Sequence, residues 1–139
     1  MSNDYHLPAS AVAVNAIHST LVAFPIACFS LALLTDIAYW RTENLLWLHF
    51  SEWLLLAGLV FGVLALPVLA IGYVLHREGP AWPALLGGVA VLLLAALNSF
   101  IHTADGWTAI VPYGLAVSIL TVLAMIVTGW LGRKGAHHV

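Results

Sequence analysis

A few ionisable side chains lie near the ends of long apolar runs, and their spacing suggests chemistry. His49 and Glu52 are three residues apart in the sequence. Asn98 and His102 are four residues apart, so each pair would share one face of a helix. Imidazole and carboxylate groups ligate metals, imidazole ligates haem iron, and both groups exchange protons. Because such groups are costly to keep in hydrocarbon, they are functional-site candidates.

The composition indicates that the chain lives in a lipid bilayer. Hydrophobic residues make up 63% of its 139 residues and charged residues only 7%, whereas a soluble domain carries roughly a quarter charged residues. The formal net charge is −2, and the sequence has neither a basic run nor a glycine-rich phosphate loop. We therefore predict the lipid bilayer as a partner and no nucleic-acid partner. The same composition argues against a soluble enzyme.

Four apolar runs are long enough to cross a bilayer, which takes roughly 20 residues per helix. We predict spans over residues 19–40, 46–75, 81–102 and 110–131. The connections between them are short, so successive helices should lie side by side and antiparallel. The predicted fold is therefore an all-α integral membrane antiparallel four-helix bundle. We expect a single transmembrane domain over residues 1–139, with short tails at residues 1–17 and 132–139.

Lysine and arginine residues set the predicted orientation. The side that holds both termini and the second link carries Arg77, Arg133 and Lys134, and the opposite side carries Arg41. This excess predicts cytoplasmic N- and C-termini in a bacterial inner membrane. The N-terminal residues show no signal-peptide pattern, so we expect the first helix to stay as a membrane anchor.

The predicted helix directions gather polar residues at the end of the bundle away from the termini, which we call the outer end. The residues that close the first and third helices there, or follow in the third link, are Asp36, Asn98, His102 and Asp105. His49 and Glu52 open the second helix at the same end. His18 lies at the opposite, inner end, so one site cannot use His18 together with the outer histidines.

Three interpretations of the polar residues at the outer end stay open. In the first, they are interfacial residues, solvated or paired with each other, without any chemistry. In the second, His49 and His102 approach each other across antiparallel helices and ligate haem or a metal. Glu52 or Asp36 would then be a further ligand or would orient an imidazole. In the third, the group exchanges protons or binds a quinone head group. A serine nucleophile is disfavoured, because Ser51 and His49 are two residues apart and do not face each other on a helix.

Four segments carry a resemblance to a known family. They are HSTLVAFPIA from His18, LTDIAYW from Leu34, FSEWLLLAGLV from Phe50 and TGWLG from Thr128. Through them the sequence resembles the bacterial membrane-protein family called domain-of-unknown-function family 2231, over residues 15–138. The resemblance implies the same four-helix membrane architecture and supplies no activity. Some relatives are fused to iron–sulfur or cytochrome-like modules, which suggests an association with electron transfer.

The sequence departs from the family pattern at its inner end. The family's first helix usually opens with two histidine–proline pairs, and Asn15-Ala16 and His18-Ser19 stand in their places here. The histidine at the start of the family's third helix corresponds to Ala84. If relatives use these inner histidines as ligands, this chain keeps only His18.

We predict an accessory or electron-transfer membrane subunit of a redox or respiratory system, and a non-catalytic role rather than an enzyme. The candidate ligands for haem b are His18, His49 and His102, and those for a divalent metal are His49, Glu52 and His102. The remaining polar residues of the outer end are Asp36, Asn98 and Asp105. The expected protein partner is a redox protein or a second copy of the chain. Two alternatives remain, a proton- or ion-coupled or quinone-interacting membrane protein and a purely structural membrane anchor.

Overall fold

The described part of the chain is helical. A computed structural model describes residues 8–76, 82–103 and 110–136. These residues form α1 (Ala9–Thr42), α2 (Leu45–His76), α3 (Trp82–Thr103) and α4 (Leu115–Ala136). A π-helical turn, Ile110–Gly114, precedes α4. No strand occurs in these residues, and the predicted all-α four-helix fold is confirmed.

All four helices are long and apolar enough to cross a membrane. The candidate spans are Ala9–Thr42, Leu45–Gly72, Leu85–Thr103 and Ile110–Arg133. Large apolar side chains point away from the bundle on every helix, and examples are Leu34, Trp53, Leu93 and Ile126. An apolar surface of this extent is unfavourable in water and favourable against lipid tails. The bundle therefore belongs in a bilayer, as the composition predicts.

The helices pack as two antiparallel hairpins. α1 packs against α2 and α3 against α4, and contacts of α2 with α3 and of α1 with α4 close the bundle. The buried apolar core consists of Phe29 and Ala32 of α1, Leu55 of α2, and Val91 and Ala95 of α3. α4 covers this core with the partly buried residues Ala124 and Met125.

The first helix is longer than predicted at its N-terminal end. α1 begins at Ala9 instead of residue 19, so residues 9–17 of the predicted N-terminal tail are helical. The amides of Ala11 and Val12 bond to the carbonyl of Pro8, at 2.8 and 3.3 Å. A proline just before the first turn suits a helix start, because its fixed φ is already close to the helical value. Pro25 lies inside α1 without ending it.

The link between α1 and α2 is only two residues long. Glu43 has a left-handed backbone with φ of 53°, and its amide bonds to the carbonyl of Tyr39 at 2.7 Å, which ends α1. Asn44 caps α2, because its Oδ1 accepts a hydrogen bond from the amide of Leu46 at 3.0 Å. This tight link fixes the register of α1 against α2.

The fourth apolar span begins at Ile110 as predicted, but the regular α-helix within it begins later. α4 begins at Leu115 instead of residue 110, because Val111 has an extended backbone with φ of −119° and ψ of 117°. A residue that precedes a proline is disfavoured in the helical conformation, and position 112 is a proline. The bounds of α2 and α3 agree with the predicted spans to within one residue.

Two glycines let the helices of each hairpin approach closely. A Cβ atom at Gly58 of α2 would overlap the ring of Phe29 in α1. A Cβ atom at Gly87 of α3 would overlap the side chain of Thr128 in α4. Close approach of backbones at small residues is a usual way in which membrane helices associate. Both glycines thus serve contacts inside the bundle.

Candidate functional site

The carboxylate of Asp36 lies at the centre of a buried polar cluster near the outer end. Its Oδ1 is 2.5 Å from Ser51 Oγ and 2.8 Å from His102 Nε2, and its Oδ2 accepts a hydrogen bond from Ser118 Oγ. Asp36 of α1 is thereby joined to a residue of each of the other three helices. All four residues are at most 3% exposed. A carboxylate in such a position is tolerated only when its oxygens are hydrogen-bonded, and these contacts meet that requirement.

We call this group, with Asn98, the outer cluster; its members are Asp36, Ser51, Asn98, His102 and Ser118. Helix register brings them to a similar depth. Asp36 lies six residues before the end of α1 and Ser51 lies six residues after the start of α2, a distance of about 9 Å along each helix axis. The two-residue link makes these depths equal. His102 is one residue from the end of α3 and packs against the π-helical turn before α4, where a Cβ at Gly114 would lie 3.2 Å from its Cε1.

Both ring nitrogens of His102 face hydrogen-bond acceptors. Nδ1 lies 2.9 Å from the backbone oxygen of Asn98, and Nε2 lies 2.8 Å from Asp36 Oδ1. Because a carbonyl oxygen can only accept, Nδ1 carries a hydrogen. The contact of Nε2 with Oδ1 then needs a second hydrogen, either on the ring or on the carboxyl group. The pair is therefore an imidazolium with a carboxylate, or an imidazole with a carboxylic acid, and it holds one shared proton.

Two serine hydroxyl groups donate to Asp36, and an asparagine amide donates to one of them. Ser51 has a single hydroxyl hydrogen, which it donates to Asp36, and its Oγ also lies 2.7 Å from Thr35 Oγ1, whose hydroxyl is within hydrogen-bond distance of the Ala32 carbonyl at 2.9 Å as well. Likewise Ser118 donates to Asp36 and accepts a hydrogen bond from Nδ2 of Asn98 at 2.7 Å. The Ser51 hydroxyl and a chain of donors from Asn98 through Ser118 thus converge on one carboxyl group. Such convergence stabilises negative charge on Asp36, and it favours the imidazolium–carboxylate form of the pair.

One acceptor in the outer cluster has no donor. Because the hydroxyl hydrogen of Ser118 goes to Asp36, Asn98 turns its NH₂ group toward Ser118 and its Oδ1 away. In the described parts of the chain this Oδ1 is buried and finds no hydrogen-bond partner. A buried acceptor in that state costs about 1–3 kcal/mol. Asn98 Oδ1 is therefore the point at which the outer cluster can accept one more hydrogen bond.

His49 and Glu52 form a separate pair on the outside of α2. His49 Nδ1 lies 3.2 Å from Glu52 Oε2, and the His49 side chain is 62% exposed. Among the described residues, no group of three or more histidine, cysteine, aspartate and glutamate side chains is placed to hold a metal ion. The predicted metal ligands His49, Glu52 and His102 thus fall into a surface pair and a buried histidine. Asp105 lies outside the described residues.

His18 is far from the outer cluster. It precedes Asp36 by 18 residues of the same helix, which corresponds to about 27 Å along the axis. Its side chain is half-buried beside an apolar cavity. As predicted, no single site can include His18 together with His102.

The outer cluster does not fit a haem iron or a metal ion through His102. Ligation needs an imidazole nitrogen with a free lone pair. Both nitrogens of His102 lie within 3 Å of an acceptor, one on Asp36 and one on Asn98. His102 would have to give up one of these hydrogen bonds before it could act as a ligand.

Two members of the outer cluster, Ser51 and Ser118, do not follow from the sequence pattern. A serine or threonine in a membrane helix often bonds only to its own helix, as Thr121 does with the Val117 carbonyl at 2.8 Å. The useful signal is that Ser118 and Thr121 are three residues apart in an otherwise apolar stretch. Both are buried, so this pair marks the face that α4 turns to the bundle.

Comparison with known proteins identifies a family. The family model described as a predicted membrane protein (DUF2231) matches residues 14–139, which include every residue of the outer cluster. No curated protein and no solved structure matches the chain significantly. The family description names the membrane and no activity.

Proposed function

The chain belongs to the DUF2231 family of predicted membrane proteins, and on that premise we propose that its Asp36–His102 pair binds and releases a proton inside the membrane. The protein is then a proton-coupled membrane protein whose helix packing responds to the protonation of this pair. The observation that carries the proposal is the placement of both His102 ring nitrogens against acceptors, one of them a buried carboxylate. Ionisable residues inside a membrane commonly mark proton or ion pathways.

Loss of the shared proton would make the contact between Asp36 and His102 unfavourable. Without it, the Nε2 lone pair of His102 would face an oxygen lone pair of Asp36 across 2.8 Å. Loss of the proton would also leave a net negative charge in the core of the bundle, which is costly in a low dielectric. A move of the ring hydrogen from Nδ1 to Nε2 would only transfer the unfavourable contact to Nδ1 and the Asn98 oxygen, so the relief that we propose is a movement of α1 or α3 that separates the side chains. Proton release is thereby linked to helix position.

Uptake of a further proton has a matching consequence. If Asp36 becomes a carboxylic acid beside an imidazolium, one of its oxygens turns into a donor and can no longer accept from Ser118. Ser118 can then donate to the unpartnered Oδ1 of Asn98, if the amide rotates. The orphaned acceptor therefore gives the outer cluster a second hydrogen-bond arrangement.

The depth of the outer cluster supports exchange with one side of the membrane. Asp36 and Ser51 lie about two turns below the ends of their helices, and His102 lies one residue from the end of α3. A proton would cross a short distance from the outer end and a long apolar stretch from the inner end. With the lysine and arginine bias of the sequence, we propose that the outer end faces away from the cytoplasm in a bacterial inner membrane.

A structural anchor is the main competing function, and a specific observation favours it. The cluster joins all four helices, and apart from Asn98 Oδ1 its described polar atoms are paired. Such a network can fix helix register without any exchange of protons. The electron-transfer and haem roles predicted from the sequence stay predictions, and the geometry of His102, with an acceptor at each ring nitrogen, does not support them.

Infrared difference spectroscopy of the protein in lipid bilayers tests the proposal. We expect a pH step to change the vibrational bands of one buried carboxyl group and of the helix backbone together. Both changes should vanish in Asp36→Asn and in His102→Gln. The matched control is Glu52→Gln, which removes a half-buried carboxylate that makes no hydrogen bond to Asp36, and it should keep both changes. If no carboxyl change belongs to Asp36 at any pH where the protein stays folded, the outer cluster is a structural anchor.

A further inference from the structure

An apolar groove lies in the inner part of the bundle, away from the outer cluster. Its cavity volume is about 310 Å³, and residues from all four helices line it; they include His18, Pro25, Gly62, Gly88, Met125 and Gly129. The lining is almost wholly apolar. Apolar cavities do not hold ordered water, so in a bilayer this groove offers a place for hydrocarbon.

The groove is hollow because two of its glycines serve no helix contact. A Cβ atom at Gly88 would meet no other atom within 4 Å. At Gly129 it would meet only the flexible end of Arg133, at 4.0 Å. These positions differ from Gly58, where a Cβ would overlap a neighbouring ring. Gly88 and Gly129 therefore leave open space that a larger side chain would fill.

A cationic group borders the groove at Gly129. Arg133 follows Gly129 by one helical turn, and its Nη1 lies 4.0 Å from the Cβ position there, so the side chain reaches back along α4 toward the groove. The ion pairs formed among the described residues are His49–Glu52 and His102–Asp36, and neither involves Arg133. The guanidinium thus lies beside an apolar groove with no carboxylate of the described chain to neutralise it.

We propose that this groove binds an anionic phospholipid, with one acyl chain along Gly88 and the phosphate at Arg133. Charge complementarity selects the occupant, because an apolar groove with a guanidinium at its rim matches a hydrocarbon chain that ends in a phosphate. The half-buried imidazole of His18, also in the lining, forms no hydrogen bond with described residues and is available to the head group. The site is independent of proton binding at the outer cluster.

Native mass spectrometry of the full chain in detergent tests the proposal. The delipidated protein is titrated with phosphatidylglycerol and, separately, with phosphatidylcholine, and bound lipid is counted. We expect one tightly bound phosphatidylglycerol per chain and weaker binding of phosphatidylcholine. Gly88→Leu fills the groove and should lower the affinity for phosphatidylglycerol by about tenfold or more. This is the effect expected when roughly two methylene groups of the acyl chain are no longer buried. Arg133→Gln should remove most of the preference for the anionic lipid.

The matched control is Ala90→Leu, which enlarges an exposed position of α3 that does not line the groove. It should bind phosphatidylglycerol like the wild type, and thermal unfolding of both variants shows whether the fold is kept. Equal affinities of Gly88→Leu and Ala90→Leu would overturn the proposal. So would a stoichiometric co-purifying isoprenoid quinone that phosphatidylglycerol does not displace, since the groove would then hold a different ligand.

Discussion

At the scale of single residues, the outer cluster depends on one carboxyl group. Asp36 accepts hydrogen bonds from two serines and contacts His102. We expect Asp36→Asn to lower the free energy of unfolding by about 3–5 kcal/mol, because removing one member of a buried pair leaves the other without its partner. Reversible unfolding in mixed micelles measures this loss.

A double-mutant cycle separates the pair from the rest of the network. If Asp36 and His102 stabilise the fold through each other, Asp36→Asn combined with His102→Gln should cost less than the sum of the single changes. We expect a coupling of about 1–3 kcal/mol, the upper part of the range for residues in contact. Additive effects would mean that the two side chains act separately.

A further prediction at the scale of single residues concerns Ser118. Ser118→Ala leaves both Asp36 Oδ2 and Asn98 Nδ2 without a partner, so we expect the free energy of unfolding to fall by about 2–6 kcal/mol, at roughly 1–3 kcal/mol per unpartnered buried group. Thr121→Val is the control, since the Thr121 hydroxyl bonds only to its own helix. It should change the unfolding free energy little. A Ser118→Ala variant as stable as Thr121→Val would show that Ser118 does not support the cluster.

The sequence identifies Asp36, Asn98 and His102 as candidates because they are polar residues in apolar helices. The sequence does not reveal that His102 pairs with Asp36 and not with His49. His49 and Ser51 are two residues apart on α2, so they lie on nearly opposite faces of the helix. A rotation of α2 by about half a turn would turn His49 into the bundle and Ser51 out of it. That rotation is set by packing such as Gly58 on Phe29, which no single-helix pattern encodes.

At the scale of helices, the fold follows from the sequence more closely than the site does. The lengths of the apolar runs and the short links between them predict four antiparallel spans. The observed bounds of α2 and α3 agree with the predicted bounds within one residue. The helix bounds depart from the predicted spans at the start of α1 and, although the apolar span itself begins at Ile110 as predicted, at the start of α4. Residues 9–17 are only moderately apolar yet continue a helix that has already formed, and elongation of a helix is easier than nucleation. Pro112 delays α4 because of its effect on the residue before it.

Close packing within the α1–α2 hairpin gives a prediction for this scale. Gly58→Ala should lower the unfolding free energy by about 1–3 kcal/mol, because its Cβ must displace the Phe29 ring in a filled core. Gly88→Ala, at an open position, is the matched control and should be nearly neutral. Unfolding in mixed micelles compares the two. Equal effects would show that the hairpin does not depend on contact between Gly58 and Phe29.

At the scale of the whole molecule, the bundle has two distinct ends. Buried charge and hydrogen bonds lie near the outer end, and an apolar groove bordered by Arg133 lies in the inner part. Because four spans place both termini on one side, the α1–α2 link must face the other side. This asymmetry gives each end its own chemistry.

Topology is therefore testable with a single label. A Glu43→Cys variant in a Cys28→Ser background places one thiol in the α1–α2 link. The lysine and arginine bias predicts cytoplasmic termini, and on that prediction a membrane-impermeant maleimide should label the thiol from the outside of spheroplasts. Labelling of Glu43→Cys only after lysis would reverse the orientation and would make the proton at Asp36 exchange with the cytoplasm.

Nitrogen NMR of isotope-labelled histidine, on the protein in lipid bilayers, tests the shared proton most directly. His102 is assigned by its loss in His102→Gln. We predict that both ring nitrogens of His102 carry hydrogen near neutral pH, and that Asp36→Asn returns the ring to a neutral form. If Nε2 of His102 carries no hydrogen and the carboxyl group of Asp36 carries no proton at any pH where the protein stays folded, the pair holds no shared proton, and the proposed proton site is contradicted.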